Sequence, residues 1–374
     1  MVMKTVVYAD NAATTRLSHK VYERMLPYLL NEYGNASQPY SFARSPKKAL
    51  MQARETIAEC IGALPEEIFF TSCGTESDNW AVEGARKNKM PIVTSSIEHH
   101  AMLRPCEQAF KDGCDVVYLP VSCGGLVSVA EAKRIMSSPN GLLSVMFANN
   151  EIGTIQPVTE LAAAAHEKGW LFHTDAVQAV GHTPISVHSM GIDMLSASAH
   201  KFNGPKGIGF LYIRKGVEWP SFIKGGGQEF GCRAGTENIA AIVGMASALE
   251  ENTAQMNHNM EHLCFLENRL IDSLNTFGVK YVHNGSDNHL AGNISLSFPG
   301  IGGEALMHRL DLKGIIVSTG SACDSRETQI SHVLKALRID EVLAKGTIRI
   351  SLGKYNTTED VDAIAYGIKS ILNR

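Results

Sequence analysis

A lysine with unusual neighbours lies in the stretch DMLSASAHKFNGPKGIG, residues 193–209. Small residues and Ser198 lead into His200 and Lys201, and a turn rich in glycine and proline follows. A lysine just past a buried strand is desolvated, which lowers the pKa of its amine and makes it nucleophilic. An isolated lysine is more often solvated, but these surroundings favour an amine that forms a Schiff base with a carbonyl compound.

Gly74 and Thr75, in FFTSCGTESDN, fall between a predicted strand and a predicted helix. Backbone N–H groups at such a place, together with the Thr75 hydroxyl, form an anion site. The competing interpretation is a plain helix cap, with Thr75 as N-cap and Asp78 three residues further on. On this motif alone, the helix cap is the favoured interpretation.

Asp175 ends the apolar stretch LFHTDAVQ, and Gln178 follows it. A carboxylate at the end of a buried strand needs a partner. The protonated ring nitrogen of a cofactor is one such partner, and the free N–H groups of a following helix are another. The sequence leaves both interpretations open.

Three further stretches carry groups that could bind a cofactor or a substrate. His99 and His100 could stack on an aromatic ring or move protons, or could be structural. Asn149 and Asn150 could bind a hydroxyl, or could make a turn. Arg349 lies within the apolar stretch TIRISLG, where it could bind a substrate carboxylate bidentately or form an internal salt bridge.

Together these groups are the parts of a pyridoxal-phosphate site: an anion cradle, a Schiff-base lysine, an aspartate for the ring nitrogen and an arginine for a carboxylate. Each part alone is weak, and their joint occurrence carries the prediction.

Cys323, in VSTGSACDSRETQ, stands apart from the other cysteines because small polar residues surround it, whereas a structural cysteine is usually buried among apolar ones.

The composition of the 374 residues is that of an ordinary globular protein, with 44% hydrophobic and 19% charged residues and a net charge of −4. These values argue against a nucleic-acid-binding face or a membrane protein. The eight cysteines show no metal-ligand spacing with histidine, so no metal site is predicted. The N-terminus lacks the features of a signal peptide, which predicts a cytoplasmic protein.

The elements that must position these groups alternate between strand and helix from about residue 45 to 245, which predicts a largely parallel α/β sheet with helices on both faces. Strands are predicted at EIFFTS, PIVTSS, DVVYLP, LLSVMFANN, LFHTDA, DMLSASA and GIGFLYI. One long helix is predicted over 247–278, followed by a smaller α+β unit with strands at NISLSFPG, GIIVSTG and TIRISLG.

A series of motifs resembles the group I cysteine desulfurases, the NifS/IscS-like enzymes of the class V aminotransferase family. The motifs run in order from Tyr8 to about Gly353: YADNAATT, FTSCGTESDN, EHHAM, NNEIGTIQP, HTDAVQAVG, SASAHKFNGPKGIG, GCRAGTEN, STGSACDS and IRISLG. The resemblance implies a fold-type I pyridoxal-phosphate enzyme with a seven-stranded sheet in its large domain. It implies a large domain over 15–250, and a small domain over 1–14 and 251–374 with a mobile catalytic loop at about 318–330.

The resemblance also implies roles for individual residues. Cys323, Lys201 and His99 would be catalytic, with Lys201 bound to the cofactor, His99 stacked on its ring and Cys323 the acceptor of sulfur. Arg349 and Asn150 would bind the substrate. The residues that would bind the cofactor are Gly74, Thr75, His99, Asn150, Asp175, Gln178, Ser198, His200, Lys201 and Thr236. Thr236 would reach the phosphate in a neighbouring subunit, which implies a homodimer.

The implied reaction converts L-cysteine to L-alanine and leaves sulfur on Cys323 as a persulfide for an acceptor protein, such as an iron–sulfur scaffold or a thiolation enzyme. A selenocysteine lyase, or another class V aminotransferase or lyase, is the alternative among enzymes. A catalytically silent interaction protein that binds pyridoxal phosphate is a third interpretation. Two departures from the family pattern stand out: Asp324 directly follows Cys323, with Arg326 nearby to counter its charge, and Phe230 replaces a common arginine.

Overall fold

The computed structural model describes residues 6–319 and 330–372. Its strands are β1 Val7–Tyr8, β2 Ile68–Thr71, β3 Ile92–Ser95, β4 Val116–Leu119, β5 Leu142–Ser144, β6 Leu171–Asp175, β7 Met194–Ser198, β8 Gly209–Ile213, β9 Val282–Asn284, β10 Asn293–Ser297, β11 Ile315–Ile316 and β12 Thr347–Ser351. Its helices are α1 His19–Leu30, α2 Arg44–Ile61, α3 Gly74–Lys87, α4 His100–Lys111, α5 Val129–Ile135, α6 Val158–Glu167, α7 Ile239–Ala254, α8 Met256–Thr276, α9 Gly303–Asp311, α10 His332–Ala336, α11 Glu341–Lys345 and α12 Thr358–Leu372. No helix in this described part is long and apolar enough to cross a membrane.

A seven-stranded sheet in the order β2-β8-β7-β6-β5-β3-β4 forms the centre of the larger part of the molecule. Strand β8 is antiparallel to both of its neighbours, and the other pairings are parallel. This arrangement confirms the predicted α/β class and the predicted number of strands. Parallel strands point their carboxyl ends to one edge, where ligands bind in such folds.

Both faces of this sheet are buried under helices. In β5, Leu142 and Leu143 belong to different apolar clusters, and so do Met194 and Leu195 in β7. Successive side chains of a strand point to opposite faces, so the two clusters lie on the two sides of the sheet. One cluster includes residues of α2, α6 and α7, and the other includes residues of α3 and α4.

A second group of strands lies elsewhere in the chain. Strands β12, β10 and β9 form an antiparallel sheet, and β1 pairs in parallel with β11. These strands share an apolar cluster with α8, α9 and α12, so residues 7–9 pack with residues from the last third of the chain. The domain limits of 15–250, and of 1–14 with 251–374, remain a prediction.

Two predicted elements differ from the structure. The single helix predicted over 247–278 is two helices, α7 and α8, because the backbone of Gln255 (φ −105°, ψ 7°) departs from helical geometry. The strand predicted from LLSVMFANN ends at Ser144. Beyond it, Val145 and Phe147 still donate backbone hydrogen bonds to His173 and Asp175. The chain then turns at Asn149, whose side chain bonds to Ile97 and to the backbone of the turn.

Candidate active site

The carboxyl ends of β6 and β7 bring the predicted chemical groups together. Asp175 is the last residue of β6 and is paired with Ser196 of β7. Ser198 ends β7, and Lys201 lies three residues later in a short 3₁₀ turn. Because neighbouring parallel strands end side by side, the carboxylate and the amine lie at the same edge of the sheet.

The Lys201 amine is held by the segment that follows β1. Its Nζ donates to the carbonyl oxygens of Ala12 at 2.6 Å and Ala13 at 2.9 Å. Gln178 Nε2 also donates to Ala12 O, at 3.0 Å, and His182 Nε2 lies 2.9 Å from the Lys201 carbonyl. The lysine and the glutamine, predicted from separate motifs, therefore meet at one carbonyl group.

The start of α3 is the candidate for the predicted anion cradle. The helix begins at Gly74 with Cys73 as its N-cap and no side-chain cap within the described chain, so the interpretation of Thr75 as N-cap is wrong. The exposed Thr75 lies in the first turn, where helix N–H groups lack helical acceptors. A Cβ atom on Gly74 would lie 2.5 Å from Val177 Cγ2, so any larger residue at this position would have to displace the Val177 side chain.

This cradle fits a phosphate group. The Ser198 hydroxyl is buried without a hydrogen-bond partner among the described residues, and the position of a Gly74 Cβ would be 3.6 Å from Ser198 Cβ. An unpaired buried hydroxyl beside an uncapped helix N-terminus is a site for an anion with several acceptor oxygens. The residues present therefore fit pyridoxal phosphate.

Asp175 is buried, and one of its oxygens accepts from the backbone N–H of Val177 at 2.9 Å. The pKa of Asp175 is raised to about 6, because the effect of burial outweighs the opposing effects of that hydrogen bond and of the Lys201 charge. Burial also raises the pKa of the nearby Asp78, and the negative charge of Asp175 adds to the effect. A cation at Asp175, such as a protonated ring nitrogen, favours its ionised form.

His99 and His200 are both held neutral. Burial, followed by the positive charge of Lys201, lowers the pKa of each to about 4. His99 Nδ1 accepts the backbone N–H of Ala101 at 3.1 Å, so the ring proton lies on Nε2. His200 Nδ1 lies 3.1 Å from the Thr14 hydroxyl. His99 is thus the N-cap of α4 with a ring that donates through Nε2.

Arg349 lies in β12 with its guanidinium buried against polar partners. Its Nη2 bonds to Asp10 Oδ1 at 2.6 Å, and its Nη1 donates to the Asn150 carbonyl at 2.9 Å. Its Nε is buried without a hydrogen-bond partner in the described part of the chain. The internal salt bridge, one of the two alternatives for Arg349, is therefore present, and binding of a substrate carboxylate stays a prediction.

Cys323, Asp324 and Arg326 lie outside the described residues. The chain on either side of 320–329 can be located. Ser318 exchanges backbone hydrogen bonds with Arg349, and His332 lies 5.0 Å from His100 between ring centroids. Both ends of the segment that contains Cys323 are therefore attached to the site.

Thr236 and Phe230 lie on the loop before α7. Thr236 is exposed, and the nearby Arg233 forms two bonds, of 2.7 and 3.0 Å, with Glu76 in the first turn of α3.

Phe230 is exposed in a left-handed conformation (φ 56°), with Arg54 over its ring at 5.1 Å. Arg54 also forms a buried ion pair with Glu229, which fixes this loop to α2.

Sequence reasoning missed several groups at the site. Asp10 and the carbonyls of Ala12 and Ala13 were not singled out, although their motif was, because backbone oxygens leave no residue-type signal. Glu98 was missed as well: it is fully buried, accepts from Ser95 Oγ and Met146 N, and burial raises its pKa to about 8. The sequence signal for Glu98 is its position directly before His99 and His100.

Comparisons with known proteins show which family and which structures the chain is similar to. The sequence profile of the family described as "Aminotransferase class-V" matches residues 7–364. "Cysteine desulfurase IscS" of Methanosarcina thermophila is 45% identical over 98% of this chain and 92% of that protein. The solved structure titled "NIFS-LIKE PROTEIN" has a TM-score of 0.93 and 39% identity, over 99% of this chain and 100% of that one. The solved structure titled "SspA in complex with cysteine" has a TM-score of 0.83 and 35% identity, over 94% of this chain and 100% of that one.

Proposed function

The chain belongs to the aminotransferase class-V family, and from this premise we propose that it is a pyridoxal-phosphate-dependent cysteine desulfurase. It converts L-cysteine to L-alanine and leaves the sulfur on Cys323 as a persulfide. The observation that carries the proposal is the convergence of Lys201, Asp175 and the uncapped start of α3 at one sheet edge. The names of its relatives, cysteine desulfurases at about 45% identity, point to the same reaction.

The residues that would hold the cofactor divide by chemistry. Gly74, Thr75, Ser198 and His200 would bind its phosphate, and Asp175 would pair with the ring nitrogen. Gln178, Asn150 and His99 would contact the ring and its hydroxyl, and the Lys201 amine would bond to its aldehyde carbon. When bound, pyridoxal phosphate accepts the electron pair released at the substrate α-carbon.

Arg349 would bind the substrate carboxylate through its planar guanidinium. The Lys201 amine, released when the substrate amine takes its place, would remove the α-proton. Its contacts with the Ala12 and Ala13 carbonyls show where the chain can hold that amine. His99, neutral and with its proton on Nε2, can donate a hydrogen bond across the pH range in which cysteine thiols ionise.

Cys323 would take the sulfur. Its thiolate attacks the substrate sulfur, a new S–S bond forms and the substrate C–S bond breaks. The electron pair stays with the substrate carbon, which gains a proton, so the organic product is alanine. Ser318, five residues before Cys323 in the sequence, exchanges backbone hydrogen bonds with Arg349, so a short length of chain connects the proposed sulfur acceptor to the proposed carboxylate-binding residue.

The proposed assembly is a homodimer in which Thr236 reaches the phosphate site of the partner subunit. The exposure of Thr236 in the single chain supports this, because a side chain that reaches a partner subunit is left uncovered in the isolated protomer. The acceptor of the persulfide is a second protein, such as an iron–sulfur scaffold or a thiolation enzyme. The proposed location is the cytoplasm, which keeps thiols reduced, and the cysteines of the described residues are all free.

The test is to incubate the purified holoenzyme with L-cysteine and dithiothreitol and to measure sulfide and alanine. Cys323→Ser should form neither product while retaining the cofactor. Cys123→Ser, which changes an exposed thiol, is the matched control and should match the wild type. Alanine formation that persists in Cys323→Ser would favour a selenocysteine lyase or another class V enzyme. A cofactor-loaded wild type that forms no sulfide would leave only a binding protein.

A further inference from the structure

We propose that Glu267, His283 and His289 bind a divalent transition-metal ion such as Zn²⁺. One donor atom from each residue, a carboxylate oxygen and two ring nitrogens, lies within 4.8 Å of the other two. Glu267 comes from α8, His283 from β9, and His289 from the connection between β9 and β10. The site is independent of the proposed desulfurase reaction, since none of its three residues takes part in it.

The carboxylate of Glu267 is fixed before any ion binds. The residue is 8% exposed, and its Oε2 accepts the backbone N–H of Gly292 at 2.9 Å. Its other oxygen, Oε1, lies 2.7 Å from His289 Nε2. A buried carboxylate with one oxygen held by the backbone presents the other in a defined direction, as a metal ligand requires.

Both ring nitrogens of His289 face oxygen atoms. Its Nδ1 lies 3.1 Å from the Asp287 carbonyl, and its Nε2 faces Glu267 Oε1. A neutral imidazole carries one N–H, so it can donate to only one of these acceptors. With the proton on Nδ1, the Nε2 lone pair points at a carboxylate, and a cation between the two atoms satisfies both. A backbone carbonyl bonded to the far nitrogen is the usual support of a metal-bound histidine.

His283 completes the set from the surface side. Its side chain is exposed, and its ring centroid lies 5.7 Å from that of His289, with the ring planes at 83°. Donors around a tetrahedral Zn²⁺ are about 3.3 Å apart, given bonds of about 2.0–2.1 Å. The exposed His283 ring can turn to reach this spacing, while Glu267 and His289 need only separate slightly.

The donor types select the class of ion. Two imidazoles and one carboxylate suit zinc and its neighbours in the first transition series, whereas Ca²⁺ and Mg²⁺ prefer oxygen ligands. Three protein ligands leave a fourth position for water. No local spacing in the sequence indicates the site, because its ligands come from three separate elements and 22 positions separate His289 from Glu267.

An ion here would join α8 to the connection between β9 and β10. That connection also contacts the turn containing Asn150: His289 bridges to Thr154, and Ile155 N–H donates to Asn288 O at 3.0 Å. We therefore expect the ion to stabilise this part of the fold and not to take part in chemistry on the substrate.

The test is equilibrium dialysis of the holoenzyme against Zn²⁺ alone, for the wild type, His283→Gln, His289→Gln and His258→Gln. His258 is an exposed histidine of α8 outside the cluster and is the matched control. We expect the wild type and His258→Gln to bind one more equivalent per chain than the other two variants. Zinc bound by thiols is common to all four proteins and cancels in the comparison.

Thermal melting provides the second readout. Zn²⁺ should raise the melting temperature of the wild type and of His258→Gln, because a ligand that binds only the folded state stabilises it, and should not raise that of His283→Gln. His283→Gln changes an exposed side chain, so it should fold even if His289→Gln does not. Equal stoichiometry in all four proteins would overturn the proposal and leave an imidazolium–carboxylate pair in its place.

Discussion

Arg349 Nη2 lies 2.6 Å from Asp10 Oδ1, so the guanidinium that we propose for the substrate already binds a carboxylate of its own chain. The side chain of Asp10 is 18% exposed and that of Arg349 is 5% exposed. Asp10 lies in the N-terminal motif and Arg349 in the last strand, so the pair also joins the two ends of the described chain. An incoming carboxylate has to share Arg349 with Asp10 or displace it.

Asp10→Asn should therefore have opposite effects on stability and on substrate binding. The free energy of unfolding should fall by about 1.5–3 kcal/mol, since a charged hydrogen bond to a buried guanidinium is lost. KM for L-cysteine should fall as well, because Arg349 then has no competing carboxylate. Urea unfolding and steady-state kinetics measure the two quantities.

Asp362→Asn is the control for this prediction. Asp362 bonds to Arg269 at 2.6 and 2.8 Å, but both side chains are exposed. Its free energy of unfolding should change by about 0.5 kcal/mol or less, with KM unchanged. A KM that rises in Asp10→Asn would show that Asp10 orients Arg349 and does not compete with the substrate.

The affinity of the apoenzyme for pyridoxal phosphate should rise with pH through about 6. Burial raises the pKa of Asp175 to about that value, and the ionised form pairs with a protonated ring nitrogen. Deprotonation as the pH rises through 6 therefore strengthens binding. Fluorescence titration of the apoenzyme between pH 5 and 8 measures the effect.

Asp175→Asn isolates that contribution from ionisation of the cofactor phosphate, which also occurs near pH 6. The variant should bind pyridoxal phosphate more weakly at pH 7.5 and should show a smaller rise in affinity between pH 5 and 7. The same pH dependence in both proteins would assign the whole effect to the phosphate.

Glu98→Gln should stabilise the protein at alkaline pH relative to the wild type. Burial raises the pKa of Glu98 to about 8, above its ordinary value of 4.5, so the folded state retains a proton that the unfolded state has lost. The wild type then loses stability as the pH rises from about 4.5 to 8, and glutamine removes this loss. Urea unfolding at pH 5.5 and 8.5 gives the comparison.

Glu261→Gln, at an exposed position on α8, is the reference for this change of charge. The Glu261→Gln variant should change the free energy of unfolding by the same amount at both pH values. If Glu98→Gln also shows no pH dependence relative to the wild type, then Glu98 ionises near its ordinary pKa in spite of its burial.

Asp324→Thr should lower the pH at which the Cys323 persulfide forms. Asp324 directly follows Cys323, and a neighbouring negative charge disfavours the thiolate. Removal of that charge lowers the pKa of the thiol, so persulfide formation shifts to lower pH. Single-turnover persulfide labelling across pH 6–9 detects the shift, and an unchanged profile would mean that Arg326 already neutralises Asp324.

The sequence predicted the fold well where a pattern is local. The bounds of β2, β3 and β6 follow from short apolar runs, and Lys201, Asp175 and Gln178 follow from their place at strand ends. What failed depended on side chains far apart in sequence or on a single backbone angle. The break at Gln255 interrupts a continuous helical pattern, and α3 begins one residue before the predicted N-cap Thr75, with Cys73 in an extended conformation as its N-cap.

The least predictable part of the site was the set of contacts made by residues 10–13. These residues bond to Lys201 and to Arg349, which are 189 and 339 positions away from their respective partners. The motif YADNAATT is recognisable in the sequence, but no spacing rule connects it to either residue. Contacts of this range are decided by the complete fold, so they become visible only in three dimensions.

Residues 10–13 bond to residues far along the chain, and these distant partners determine when the site can be completed during synthesis. This segment is among the first to leave the ribosome, while Arg349 follows Asp10 by 339 residues. At about 5–20 residues per second, the delay is roughly 20–70 s. The seven-stranded sheet can form during that time, and the Lys201 amine then already has its acceptors Ala12 and Ala13. Arg349 can bond to Asp10 only after β12 has emerged. The candidate site is therefore completed late in the biogenesis of this enzyme, and its arginine is the last of these groups to be fixed.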